Sequence, residues 1–120
     1  MTRDQFKNLV YFLIFSGLII DMASTHIGLQ YPTIYEANPF SRMLINKSFF
    51  LWIFVNISSS YILIRLILWA DSYSIDDSED KMERLLRFSS LLPALLFSVS
   101  HWYAGLHNIF LIIKVMEMLK

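Results

Sequence analysis

The apolar positions of this chain fall into three long runs, at about residues 9–30, 48–70 and 88–113. A helix needs about 20 apolar residues to cross the hydrocarbon of a bilayer, so each run predicts one transmembrane helix. The third run would extend roughly 39 Å as a helix. That is one tilted span rather than two, because a turn near Ala104-Gly105 would leave each half short. Pro93 is expected to kink it. Lys81, Glu83, Arg84 and Arg87 make a charged, amphipathic lead-in to this helix that stays outside the hydrocarbon. The expected fold class is therefore all-α and integral to the membrane. Residues 1–120 form a single transmembrane domain of three helices with an amphipathic lead-in to the third.

The connections are polar. Residues 31–47 carry Pro32 and the run Glu36-Ala37-Asn38-Pro39, a turn signal because proline pushes the preceding residue out of helical geometry. Residues 71–80 are acidic, with Asp71, Asp76, Asp77, Glu79 and Asp80, and lack the spacing of an EF-hand, so they read as a solvated loop. Asp76, Asp77 and Ser78 are good N-cap types, which places the start of the third helix near Ser78. Arg3 and Lys7 before an apolar run resemble a signal peptide. The run nevertheless contains Asp21 and His26 and has no small-residue cleavage site.

Polar side chains at membrane depth are costly and face the bundle interior, and here they line up. In the first span Gly17, Asp21, Ser24, Thr25 and Gly28 share a helical face; in the second, Asn56, Ser59 and Ser60 do. The third carries Ser90, Ala94, Ser98, His101, Ala104, Gly105 and Asn108 on one face. Asp21 and His101 each lie roughly 18 Å into their spans from the same side, and Asn56 roughly 12 Å in from the other. In a core about 30 Å thick these levels coincide, so Asp21, Asn56 and His101 are expected to meet. His26 and His107 form a second layer nearer residues 31–47, with Glu36 and Asn38 above them.

Composition agrees with a membrane chain. Of 120 residues, 56% are hydrophobic and 17% charged, against about a quarter charged in a soluble domain. The formal net charge is zero and no basic stripe exists, which gives no case for nucleic acid. Without cysteine there is no disulfide, thiolate metal site or lipidation on Cys. Lys and Arg are slightly more frequent around the N-terminal tail and residues 71–80, which puts the N-terminus on the cytoplasmic side of the cell membrane. Trp69 and Phe50, near span ends, suit an aromatic belt.

No nucleophile elbow or glycine-rich phosphate loop is present, so no catalytic residue is assigned and no activity of the chain's own is expected. Asp21 with His101 reads first as a buried hydrogen-bonded pair that sets helix register. Two sharper readings are a proton or ion relay and a copper or zinc site drawn from Asp21, His101, His26 and His107; no tight spacing such as H-E-x-x-H supports a metal.

Asp21-Met-Ala-Ser-Thr25 in the first span, followed by Glu36-Ala-Asn38-Pro39, resembles an uncharacterised family of small prokaryotic three-span membrane proteins. That family carries Asp-x-x-x-Thr in the first span and Glu-x-Asn-Pro in the next loop. Its third span tends to hold an aromatic and a late polar residue, comparable with Tyr103 and His107-Asn108. It often has a lysine in the second span, where this chain has Asn56. In size and span count the chain also resembles the small accessory subunits of archaeal ammonia monooxygenase, a copper membrane complex. Three functions follow as expectations. The first is a non-catalytic accessory subunit of a larger membrane complex, its partners being lipid and other subunits or itself. The second is a small proton or ion transporter using Asp21, and the third an intramembrane metal protein.

Overall fold

The computed structural model describes residues 2–72 and 81–120, without the side chains of Glu83 and Leu86. It is all-helical there: α1 (Arg3–Gly28), α2 (Pro39–Lys47), α3 (Phe49–Ser72), α4 (Lys81–Ser89) and α5 (Leu91–Met118). Three helices are long and apolar enough to cross a membrane: α1, α3 and the stretch Arg87–Met118. The expected cap at Asp76 to Ser78 and the acidic residues Asp76, Asp77, Glu79 and Asp80 lie outside the described residues.

Local chemistry explains the helix ends. Thr2 caps α1 by accepting from the Gln5 N–H at 3.3 Å, and the Gln5 side chain accepts from the Thr2 N–H at 2.8 Å, a reciprocal capping box. The residues read as loop 31–47 contain a helix, α2. Asn38 is its N-cap, accepting from the N–H groups of Phe40 and Ser41 at 2.9 and 3.3 Å, and Pro39 sits in the first turn. The Asn-Pro pair is thus a turn that opens a helix, since proline's fixed φ and missing N–H suit that position. The third helix is interrupted rather than merely kinked. Pro93 has no N–H to offer the Ser89 carbonyl, and the helical pattern breaks at Ser90, between α4 and α5. Beyond residue 113 α5 continues to Met118, so Lys114 and Glu117 belong to the helix and not to a tail.

α1 and α5 form the central pair. Their hydrogen bonds join residues separated by 80 to 86 positions, from Ser16 with Trp102 to Thr25 with Asn108, and Arg3 reaches Arg87 of α4 at the same spacing, so α1 and α5 run parallel in one register. Glycine permits the approach. A Cβ at Gly105 would lie 2.5 Å from Ile20 Cγ2 and 3.0 Å from the Asp21 backbone nitrogen; at Gly17 it would lie 2.8 Å from Trp102 Cδ1. Toward the α1 start the space is filled by Val10, Ile14, Ile67, Leu91 and Ala94.

α3 runs antiparallel to both and is tied at its end by charge. Lys7 Nζ contacts Asp71 Oδ2 at 2.8 Å, and Arg3 pairs with the other oxygen of the same carboxylate. Arg3 also donates to the Arg87 carbonyl at 2.9 Å and lies over the Phe88 ring. Asp71 is therefore not part of a solvated loop: it sits in the last turn of α3, about three-quarters buried, with two cations.

Two outcomes follow for unfolding of the reconstituted protein. Gly105→Ala should cost about 1–3 kcal/mol, because the added methyl meets the Ile20 side chain and, behind it, the α1 backbone at Ile20 and Asp21, which cannot swing aside. Asp71→Ala should cost about 1–3 kcal/mol by leaving Arg3 and Lys7 without their carboxylate. Steric-trap or denaturant unfolding in bicelles measures both, and wild-type stability in either variant would contradict the packing described.

Candidate functional site

The structure brings Asp21 and His101 into direct contact. His101 Nδ1 lies 2.5 Å from Asp21 Oδ2, and both residues are buried, at 8% and 5% exposure. The other carboxylate oxygen accepts from Thr25 Oγ1 at 3.2 Å, one helical turn further on. Thr25 Oγ1 in turn accepts from the Asn108 amide at 3.0 Å, and the same amide reaches Ser24 Oγ at 3.5 Å. The Asp-x-x-x-Thr spacing is thus an i, i+4 hydrogen bond that orients the carboxylate from its own helix. Asn108 fastens that layer across to α5. With Nδ1 given to a carboxylate, the network assigns the ring proton to Nδ1 and leaves the Nε2 lone pair free. No protein group bonds Nε2 among the described residues. The Phe97 ring meets the imidazole edge-on, with centroids 4.3 Å apart.

Asp21 and His101 form part of the wall of a cavity of about 250 Å³. Glu36 and Asn38 line it from the connection between α1 and α2, while Phe40, Ser41 and Leu44 do so from α2. α3 contributes Trp52, Val55, Asn56 and Ser59, and α5 adds Phe97, Ser100 and Ala104. The Glu36-Ala37-Asn38-Pro39 run is therefore more than a helix entry. Glu36 Oε1 accepts from the Asn38 N–H at 2.8 Å, and the Glu36 carbonyl accepts from Arg42 Nε at 2.7 Å, which holds the segment over the cavity. The guanidinium of Arg42 packs on the Tyr35 ring.

Asn56 shares the cavity with Asp21 and His101 but is not hydrogen-bonded to them. Its amide donates to the Trp52 carbonyl at 2.8 Å, and Ser59 donates to the Val55 carbonyl at 2.8 Å. Asp21, Asn56 and His101 all line one cavity, yet Asn56 and Ser59 each give a hydrogen to a carbonyl of their own helix, a habit of short polar side chains in apolar surroundings. His26 and His107 do not join the site. Both are exposed; His26 packs against Phe49 and His107 stacks on Tyr103. Among the described residues no three His, Asp or Glu side chains gather closely enough to hold a metal ion, so the four candidate ligands do not form one centre.

The sequence pattern does not mark Trp52, Phe97 or Ser100 as site residues, yet all three line the cavity. Trp52 is only 2% exposed and belongs to the interior. Its position four residues before Asn56, on the polar face of α3, is the signal that could have found it.

Residues 10–113 match a family described as a domain of unknown function, DUF5658, and the chain belongs to that family. No curated protein and no solved structure matches it. The matched residues include both motifs and every residue that lines the cavity.

A double-mutant cycle on Asp21→Asn and His101→Gln should return a coupling of about 1–3 kcal/mol in the same unfolding assay, as expected for contacting groups in one network. Additive losses would show that the two side chains do not act together.

Proposed function

We propose that this membrane protein handles a proton or another small cation at the cavity, with Asp21 and His101 as the pair that takes it up. The observation that carries this reading is a buried carboxylate–imidazole pair on the wall of a cavity, with a second carboxylate, Glu36, on the same wall. A polar group at membrane depth is expensive, and an ionisable pair there is by default a functional one. Imidazole is the side chain that exchanges a proton near neutral pH. Asp21 holds its Nδ1 side, so exchange takes place through Nε2. With the N-terminus cytoplasmic, α2 and Glu36 stand at the outer surface.

A second reading, the accessory subunit, draws on the apolar surface. Only 17% of the span window of α3 is buried, and Phe50, Phe54, Tyr61, Ile62 and Trp69 all stand exposed. Lipid or the helices of a larger complex would cover that surface. The likeness in size to the subunits of ammonia monooxygenase belongs to this reading. Here the Asp21 network would serve assembly only.

One pair of experiments separates them. In proteoliposomes loaded with a pH dye, the protein alone should speed collapse of an imposed pH gradient, and Asp21→Asn should return the rate to that of empty liposomes. Equal rates for wild type and variant would overturn proton handling by this pair. Mild extraction from the native membrane, with mass spectrometry of whatever co-purifies at constant stoichiometry, tests the second reading; a protein travelling alone would sink it.

A further inference from the structure

We infer that the cavity binds a small organic ammonium ion, an inference that rests on the cation-handling reading above. Three features of the wall select this class. The first is charge. Asp21 and Glu36 both line the cavity, and among the described residues no Lys or Arg does. Arg42 is held instead on the Glu36 carbonyl and over Tyr35.

The second feature is the direction of the hydrogen bonds. Ser59 and Ser100 donate their hydroxyl protons to the carbonyls of Val55 and Phe97, at 2.8 and 2.7 Å. Asn56 donates its amide to Trp52. What these three groups leave for the cavity is mainly acceptor capacity, two hydroxyl oxygens and the Asn56 Oδ1, beside the second hydrogen of the Asn56 amide. His101, more than nine-tenths buried, adds the unpartnered Nε2 lone pair. Among the described residues the wall donors without a partner, the second Asn56 amide hydrogen, the Asn38 amide, the Ser41 hydroxyl and the Trp52 indole N–H, are uncharged. Acceptors joined to two carboxylates complement a cation that carries N–H bonds.

The third feature is size and aromaticity. A cavity of about 150 Å³ takes a benzene molecule, so 250 Å³ takes roughly ten non-hydrogen atoms, far more than a bare metal ion occupies. Phe40, Trp52 and Phe97 are on the wall, and aromatic rings attract ammonium groups and pack against their alkyl parts. The absence of any three-ligand cluster among the described residues fits the same choice.

The test uses the full chain in detergent with butylammonium chloride as probe, followed by thermal unfolding and by quenching of tryptophan fluorescence. Butylammonium should raise the unfolding temperature in a saturable way, while butanol, its neutral isostere, and sodium chloride at equal ionic strength should not. Glu36→Gln keeps the Oε1 acceptor that Asn38 uses but removes the charge; it should weaken binding about tenfold or more. Asn56→Leu should weaken it as well. Equal binding of butanol, reproduction of the effect by sodium chloride, or unchanged affinity in Glu36→Gln would each overturn the inference. The two proposals fail separately. Gradient collapse that is lost in Asp21→Asn, with no butylammonium binding, would overturn the ligand alone. Butylammonium binding without any Asp21-dependent gradient collapse would overturn proton handling and leave the ligand.

Discussion

The close approach of α1 and α5 is the constraint on which everything else depends. A chain that crosses three times sends its first and third spans in the same direction, so these two helices are parallel. They touch along their length only because Gly17 and Gly105 offer no side chain where the other helix passes. Gly105 lies against the Asp21 backbone itself. The same contact that requires glycine therefore brings the Asp21 carboxylate to His101, one turn of α5 earlier. Close packing and the buried polar pair are one arrangement, since a wider spacing would leave two ionisable groups in apolar surroundings without a partner.

Polarity inside the bundle does two separate jobs. One set of groups crosses between helices: Asp21 with His101, Asn108 with Ser24 and Thr25, and Trp102 with Ser16 at 3.2 Å. The other set turns back on its own helix, as Ser59, Ser60 and Ser98 do. For these residues small size matters more than the hydroxyl, because a satisfied serine behaves as a compact, nearly apolar residue. At the cavity wall the returning bond of Ser59 consumes its hydroxyl proton and leaves the oxygen as an acceptor.

The two ends of the bundle are closed by different means. At one end Arg3, Lys7 and Asp71 knit α1 to α3, and Arg3 reaches on to α4. At the other, α2 lies beside the cavity, started by Asn38 and Pro39 and anchored through Leu44, which is buried. Charge serves the first end, where long side chains reach across helix termini. Capping serves the second, where a short chain must reverse without leaving backbone groups unpaired.

Much of this was readable in the chain itself. Three apolar runs imply three spans, because a helix of that length satisfies its own backbone groups in hydrocarbon. The faces of the first and third spans were legible too: Gly17, Asp21, Ser24, Thr25 and Gly28 are all buried, as are Ser98, His101 and Gly105. A helical period of 3.6 residues turns spacing directly into a face. What sequence could not settle was how side chains would share their bonds. Asn56 lies at the right depth yet bonds to Trp52, and His26 and His107 lie at similar depth yet point to different neighbours. Depth is a one-dimensional quantity, whereas contact also needs rotation about each helix axis. Likewise Asp71 sits in an acidic stretch and shows its role only once folding sets it beside Arg3 and Lys7. The spans and their polar faces follow from local periodicity. The pairing of Asp21 with His101 and the cavity under α2 were decided by the tertiary structure, because both depend on the distance and rotation between helices far apart in the chain.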